Sequence, residues 1–367
     1  MMKKDLYIAS RWNEKNLKDA WAGTSYSLMI ALSKIYSIKR IQVEPQNKWF
    51  KLINKLSHFF KQFLIVKFKL VSRHLNKKIN NEKNTPVLIY PCAYNVKNKY
   101  FIYRDNSYEI YNYFKEIKEM NPWPWNNLSK IINTRLNLAQ ISKLENKIYE
   151  EASGIFFMGE WLAEYMKTRH PNIAYKIHAV GGGVNFDLND NIKIQRSGNK
   201  ILFVGKDFYR KGGPIVVKAF KILKQTYMPN AELHIVGPSK DLVENSPGIF
   251  NHGLIDFEEV KDIMGMCDVF CMPSYFEAYG IVFIEALCMG LPCIGRNCWE
   301  MPYFIQEGKT GELLKNESPE ELAQLMLKIL TNPEYTEYIS MIQVSLRKKY
   351  SWQTVAERIS SIIEKNK

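Results

Sequence analysis

No stretch of the chain approaches 18 consecutive apolar residues, so the sequence offers no membrane-spanning helix. The opening MMKKDLYIAS leads straight into a strand-like run. It has neither the apolar core nor the small-residue cleavage site of a secretory signal, so a cytoplasmic protein is expected. Cysteine is sparse: Cys92, Cys267, Cys271, Cys288, Cys293 and Cys298 are all there are in 367 residues. Most lie inside apolar runs such as DVFCMP and EALCMG, the setting of buried free thiols in a reducing compartment. Cys267 and Cys271 are four apart, but no second pair has metal-ligand spacing, so no zinc site and no metal are expected. The pattern GxxxxGK[ST] is missing, which excludes a Walker A loop. Helix-turn-helix, RRM, KH and zinc-finger patterns are missing too, so no specific nucleic-acid partner is expected.

What is present is an ordinary folded composition, 46% apolar and 24% charged, with length enough for two domains or one large one. The charge is uneven. Residues 1–180 hold 30 Lys and Arg against 14 Asp and Glu, whereas residues 181–367 hold 21 against 23. All of the excess positive charge therefore sits in the N-terminal half, and a field of that sign attracts anionic lipid surfaces, nucleic acid or acidic substrates. The excess concentrates at residues 48–83, where ten basic residues face the single acid Glu82. Phe50, Ile53, Leu56, Phe60 and Leu64 recur there at three- and four-residue steps. That fits a basic amphipathic helix lying in a lipid interface. It also fits a helix packed on its own sheet with its lysines in water.

Strand-like runs alternate with helical segments through both halves. LYIAS (6–10), RIQVE (40–44), PVLIYP (86–91), YFIYRD (100–105), GIFFMG (154–159) and YKIHAVG (175–181) read as strands in the first half. A long segment from Leu128 to Glu151 has helical spacing. In the second half KILFVG (200–205), AELHIVG (231–237), DVFCMP (268–273) and LPCIG (291–295) read as strands. Asp256 with Glu259, and Ser318 with Pro319 and Glu321, mark helix starts. Such alternation predicts α/β architecture with mainly parallel sheets. The glycine-rich, then polar GGGVNFDLNDN (181–191) separates the halves, placing an active-site cleft between them as an expectation.

Two motifs carry chemistry. VGKDFYRKGG (204–213) follows a strand and opens a helix. Gly205, Gly212 and Gly213 let the backbone approach a ligand. Lys206, Arg210 and Lys211 put positive charge at the same place, beside a helix N-terminus suited to phosphate or diphosphate. The second motif is PSYFEAYGIVFIEALCMGLP (273–292). Glu277 falls in the loop past a strand, Gly280 opens the next helix, and Glu285 lies within an otherwise apolar helix. A buried glutamate needs a ligand or another hydrogen-bond donor, and sugar hydroxyls are such donors. A structural bond to a neighbouring loop would serve equally.

Strand–GK–x4–KG, then strand–VG, then PSxxExxGxxxxEA, resembles the retaining GT-B glycosyltransferases of family 4, the glycosyl transferases group 1. The likeness is strong over 200–315 and the terminal SWQTVAERI segment, and weaker over 1–190, where LENKIYEEASGIFFMGEWLAEYM (144–166) resembles the segment closing the family's first domain. It implies two Rossmann-like domains with parallel sheets facing across a cleft: residues 1–184 for the acceptor, 185–350 for a nucleotide sugar, and a helix at 351–367 returning to the first domain. It implies that Glu285 binds ribose hydroxyls and that Lys206 and Lys211 neutralise the departing diphosphate. Glu277 would contact the sugar ring, with amides around Tyr279, Gly280 and Ile281 on phosphate or sugar oxygens. Gly237, Gly253 and Leu254 join the same donor site, the last two beside the base. Gly23 and Thr24 stand for the family's phosphate loop, here with one glycine rather than the commoner two. The family's histidine beyond a middle strand is replaced by Arg104 and Asp105. Asp105 either takes a proton from the acceptor or caps the following helix.

The resemblance thus implies a retaining, metal-independent hexosyltransferase without a bound cofactor. Its donor would be a UDP- or GDP-sugar. Its acceptor would be a glycan or lipid-linked sugar in surface-polysaccharide assembly, met at the inner face of the plasma membrane through residues 48–83. A transferase with a soluble acceptor, and a basic nucleic-acid-binding protein, are the alternatives.

Overall fold

The computed structural model describes residues 3–13, 15–21, 23–57, 60–79, 84–119, 138–186, 194, 196–243 and 245–366. The chain divides into two compact units, one of Met1–Gly183 with Trp352–Lys367, the other of Val184–Ser351.

In the first unit, six strands form one parallel sheet: β1 Asp5–Ser10, β2 Ser37–Gln42, β3 Val87–Ile89, β4 Tyr100–Arg104, β5 Gly154–Phe157 and β6 Ile177–Ala179. Their order is β2-β1-β3-β4-β5-β6, so the direction of winding changes between β1 and β3. Every residue of β3, β4 and β5 is buried, which is why these strands read as unbroken apolar runs rather than as alternating ones. Around the sheet lie α1 Thr24–Ser33, α2 Lys48–Leu56, α3 Lys61–Lys78, α4 Ile110–Glu116, α5 Leu138–Glu151 and α6 Glu160–Arg169. The helical spacing read from Leu128 onward is helix from Leu138; residues 128–137 lie outside the described ones.

The basic segment is two helices rather than one. α2 starts at the Asn47 cap, whose side chain accepts from the Phe50 amide at 2.7 Å. Its first apolar positions do not face a lipid surface. Phe50, Ile53 and Leu64 are buried, and Phe50 joins Val71, Leu75 and Ile79 of the second helix and its cap in the core of the unit. Among the described residues of the segment, Trp49, Leu52, Phe60, Ile65 and Val66 are the large apolar side chains left exposed.

The last helix, Trp352–Lys365, belongs to this unit and packs on α1. It buries Trp352, Val355, Ala356, Ile359 and Ile363, one stripe at helical spacing. Gly183 lets it in: a Cβ there would lie 2.6 Å from the Trp352 indole. Lys4 pairs with Glu364 at 2.5 Å, and the Arg358 guanidinium donates to the Val180 carbonyl at 3.1 Å.

The second unit holds β7 Lys200–Val204, β8 Glu232–Val236, β9 Ile249–Gly253, β10 Val269–Cys271, β11 Cys293–Arg296 and β12 Gly311–Leu314, all parallel. The order β12-β11-β10-β7-β8-β9 is the doubly wound one, with its switch between β7 and β10. The edge strands β9 and β12 are two that sequence pattern does not announce. Helices α7 Gly213–Thr226, α8 Phe257–Met266, α9 Ile281–Cys288, α10 Met301–Phe304, α11 Pro319–Thr331 and α12 Glu334–Lys349 complete the unit. The α8 start carries a full capping box between Asp256 and Glu259, and Ser318 caps α11 by accepting from the Glu321 amide at 3.0 Å.

Candidate active site

The switch point of the second sheet brings the two motifs together. The loop after β7 and the loop after β10 are stitched to each other by backbone. The Tyr275 amide donates to the Arg210 carbonyl at 2.9 Å, and the buried Ser274 hydroxyl lies 3.2 Å from that carbonyl and 2.9 Å from the Phe276 one. Gly212, at φ 80°, caps α7 and passes so close to the second loop that a Cβ would sit 2.5 Å from the Pro273 oxygen. Gly205 and Gly237 press the loops after β7 and β8 together, a Cβ on Gly237 falling 2.8 Å from the Gly205 carbonyl carbon. Gly237 in turn donates to the Gly253 carbonyl at 2.7 Å, which draws the end of β9 toward the same edge, with Leu254 exposed beside it.

On this frame stand Lys206, Arg210 and Lys211 with the carboxylates of Asp207, Glu277 and Glu285. Lys206 is exposed. Arg210 donates through Nε to Asp207 at 3.0 Å and through Nη1 to the Phe276 carbonyl at 2.6 Å, and it lies 3.9 Å from Glu277. Lys211 is ion-paired with Glu277, and both are nearly buried. Burial pulls the Lys211 ammonium below its ordinary pKa against the attraction of Glu277. Glu277 is thus held beside Lys211 and Arg210, in the loop, 8% exposed.

Gly280, at φ 94°, begins α9, and Tyr279 is buried with its ring 5.1 Å from that of Phe304. No side chain caps α9, so its first amides, beginning at Ile281, present donors to an anion. Glu285 lies one turn in and is 5% exposed. Among the described residues it accepts one hydrogen bond, a long one at 3.5 Å from the Asn185 amide, and burial pushes its carboxyl up to about 7. A carboxyl so buried and so thinly bonded is a ready acceptor for ligand hydroxyls.

Sequence reasoning missed the residues that brace the second loop. Arg296 donates through Nε and Nη2 to the Pro273 carbonyl at 3.3 and 3.2 Å, and lies 4.2 Å over the Tyr275 ring. The Trp299 indole donates to the Tyr275 carbonyl at 2.8 Å. Asn185 was missed for the same reason: its partner is a hundred positions away. The remaining predicted residues belong to the first unit. Gly23, at φ 87°, caps α1, Thr24 is buried at its start, and Asp105 is half-buried just past β4.

The family model for glycosyl transferases group 1 matches residues 186–342, the stretch that carries both motifs. Over this stretch the chain is similar to the group 1 glycosyl transferases. The chain is 29% identical over 145 residues to the lipopolysaccharide glucosyltransferase WaaG of Escherichia coli K12, covering 38% of this chain and 39% of that protein. It is 26% identical over 177 residues to the phosphatidyl-myo-inositol mannosyltransferase of Mycobacterium leprae, covering 46% and 47%. The chain spans between about a quarter and two thirds of the length of the curated relatives it matches. The crystal structure of WaaG superposes on 98% of this chain and 99% of its own with a TM-score of 0.63 at 14% identity, which establishes the GT-B fold. The family stretch and the doubly wound second sheet coincide.

Proposed function

We propose that the protein transfers a hexosyl group from a nucleotide sugar to a glycan or lipid-linked acceptor, with retention at the anomeric carbon. The observation that carries the reading is the grouping of Lys206, Arg210, Lys211, Glu277 and Glu285 around one sheet edge, at the amino end of α9. Glu285 accepts from the ribose hydroxyls. The α9 amides and Lys206 hold the diphosphate, and Lys211 and Arg210 reinforce the field as charge builds on the departing phosphate. Glu277, already oriented by its ion pair, takes the sugar's ring hydroxyls. The cations at this edge supply the charge neutralisation, so the reading needs no metal. The bond from the anomeric carbon to the diphosphate oxygen breaks as the bond to the acceptor oxygen forms on the same face. The reading requires no enzyme nucleophile, and it assigns the acceptor's proton to Asp105.

A lipid-borne acceptor is favoured over a soluble one. Two relatives are named for work on lipopolysaccharide and on phosphatidyl-myo-inositol. In this chain Trp49 and Leu52 project from the basic helix α2, 72% and 52% exposed, the pattern of a surface that rests on anionic lipid. We place the protein at the cytoplasmic face of a membrane on that ground. The test is incubation with UDP-, GDP-, ADP- and TDP-hexoses, with and without EDTA and with acceptor lipid extract. One nucleotide series should be consumed, insensitively to EDTA, and NMR of the product should show the donor's anomeric configuration. An inverted product would refute the retaining reading.

A further inference from the structure

The first unit has a cavity of about 200 Å³ that the donor chemistry does not use. Its walls come from the carboxyl ends of three neighbouring strands: Arg11 follows β1, Cys92 follows β3, and Arg104 ends β4. It therefore sits at the switch between β1 and β3, where open parallel sheets bind their ligands. Helix α3 closes one side with Lys67 and Phe68.

The lining is cationic. Arg11, Lys67 and Arg104 face it, with Glu145 as its one acid among the described residues. That acid is already committed. Glu145 accepts from Arg104 Nη1, from the Ser107 hydroxyl at 2.5 Å and from the Tyr108 amide at 2.8 Å. Arg104 is only 8% exposed, yet its buried Nε–H has no partner among the described residues. A guanidinium N–H buried without an acceptor is costly, and a ligand oxygen entering the cavity would satisfy it. Arg11 and Lys67 both lie beside Glu44, at 2.8 and 3.8 Å. Phe68 and Tyr108 add aromatic faces of the kind against which a sugar ring packs. The volume lies below the roughly 300–1,000 Å³ of sites for larger ligands, which suits one charged sugar or headgroup.

We propose that this cavity holds an oxyanion of the acceptor, a carboxylate or a phosphate on its terminal sugar or headgroup, so that the enzyme selects an anionic acceptor. The proposal rests on the glycosyltransferase reading. It gives the excess positive charge of the N-terminal half a second role beside contact with lipid.

The test is calorimetric titration of the full chain with D-glucuronate, glucose 6-phosphate and glucose. One of the two anions should bind, which also separates carboxylate from phosphate, and glucose should not. Arg11→Met and Lys67→Met should each weaken anion binding about tenfold or more, and Lys206→Ala should leave it unchanged. Because Arg104→Met alone strands Glu145, Arg104 is tested as Arg104→Met with Glu145→Gln, which should abolish binding in a chain that still melts cooperatively. Equal binding of glucose, loss of binding in Lys206→Ala with retention in Arg11→Met, or no binding of either anion would overturn the proposal. Titration with nucleoside diphosphates on the same samples tests the donor reading separately. Anion binding without nucleotide binding would refute the transferase reading, and the reverse would refute the cavity alone.

Discussion

Replacing Glu285 by glutamine removes a charge that the fold holds at its own expense. The carboxyl moves from an ordinary 4.5 to about 7 on folding, with burial as the leading cause. A raised folded-state pKa means that the folded chain keeps the proton more tightly than the unfolded one. The resulting stability is complete below about pH 4.5 and is lost as pH rises through about 7. At pH 8 the ionised Glu285 therefore costs about 3 kcal/mol relative to acid pH. Glutamine keeps the shape and an acceptor for the Asn185 amide but carries no charge. Glu285→Gln should therefore melt higher than the parent at pH 8, by roughly 6–10 °C for a unit of this size. The two proteins should coincide near pH 4. The same substitution should weaken nucleotide-sugar binding, because the ionised carboxylate is the stronger acceptor for ribose hydroxyls. For the parent, affinity for the donor should fall as pH drops below about 7. Differential scanning fluorimetry at several pH values reads the first effect and calorimetry the second. Identical melting of parent and variant at pH 8 would refute the argument that a buried charge is maintained there for a ligand.

Four further outcomes follow from the geometry. Lys206→Ala should leave melting unchanged, since this side chain is exposed, and should lower turnover about a hundredfold; Lys211→Ala should lower turnover and also destabilise by about 3 kcal/mol, because it leaves the buried Glu277 with only the more distant Arg210, at 3.9 Å. Gly212→Ala should destabilise by about 2 kcal/mol or more, as read by denaturant unfolding, because a left-handed φ and the Pro273 oxygen both oppose a Cβ. Trp49→Ser with Leu52→Ser should reduce sedimentation with anionic vesicles while leaving melting unchanged; undiminished vesicle binding would remove α2 from the lipid surface.

The motifs at 204–213 and 273–286 were legible in sequence because each is local. Glycines, charges and the start of a helix fall within fourteen residues, and the doubly wound topology then carries both to one sheet edge. The cap residues Asp256 and Ser318 were legible for the same reason, since a cap acts on amides three positions ahead. What was not legible depends on distant chain. Arg296 and Trp299 brace the loop at 273–277 across more than twenty positions, and nothing near them in sequence marks that role. The periodic apolar residues of 48–64 were visible, but periodicity does not say which surface they meet. Phe50 and Ile53 meet the protein's own core, and α2 ends at Leu56 where a continuous helix was expected. The Arg104–Glu145 pair joins residues 41 apart, so the cavity beside it had no sequence signature beyond the general excess of positive charge.

The central claim is that the edge formed by Lys206, Lys211, Glu277 and Glu285 binds a nucleotide sugar. Its most direct test is thermal-shift screening of the parent, Lys206→Ala and Glu285→Gln against UDP-, GDP-, ADP- and TDP-sugars. A ligand at a hundred times its dissociation constant stabilises the folded chain by about 2.7 kcal/mol, an easily measured shift. One nucleotide series should stabilise the parent, and each substitution should reduce that stabilisation. Stabilisation by no series, or by one series equally in all three proteins, would contradict the account.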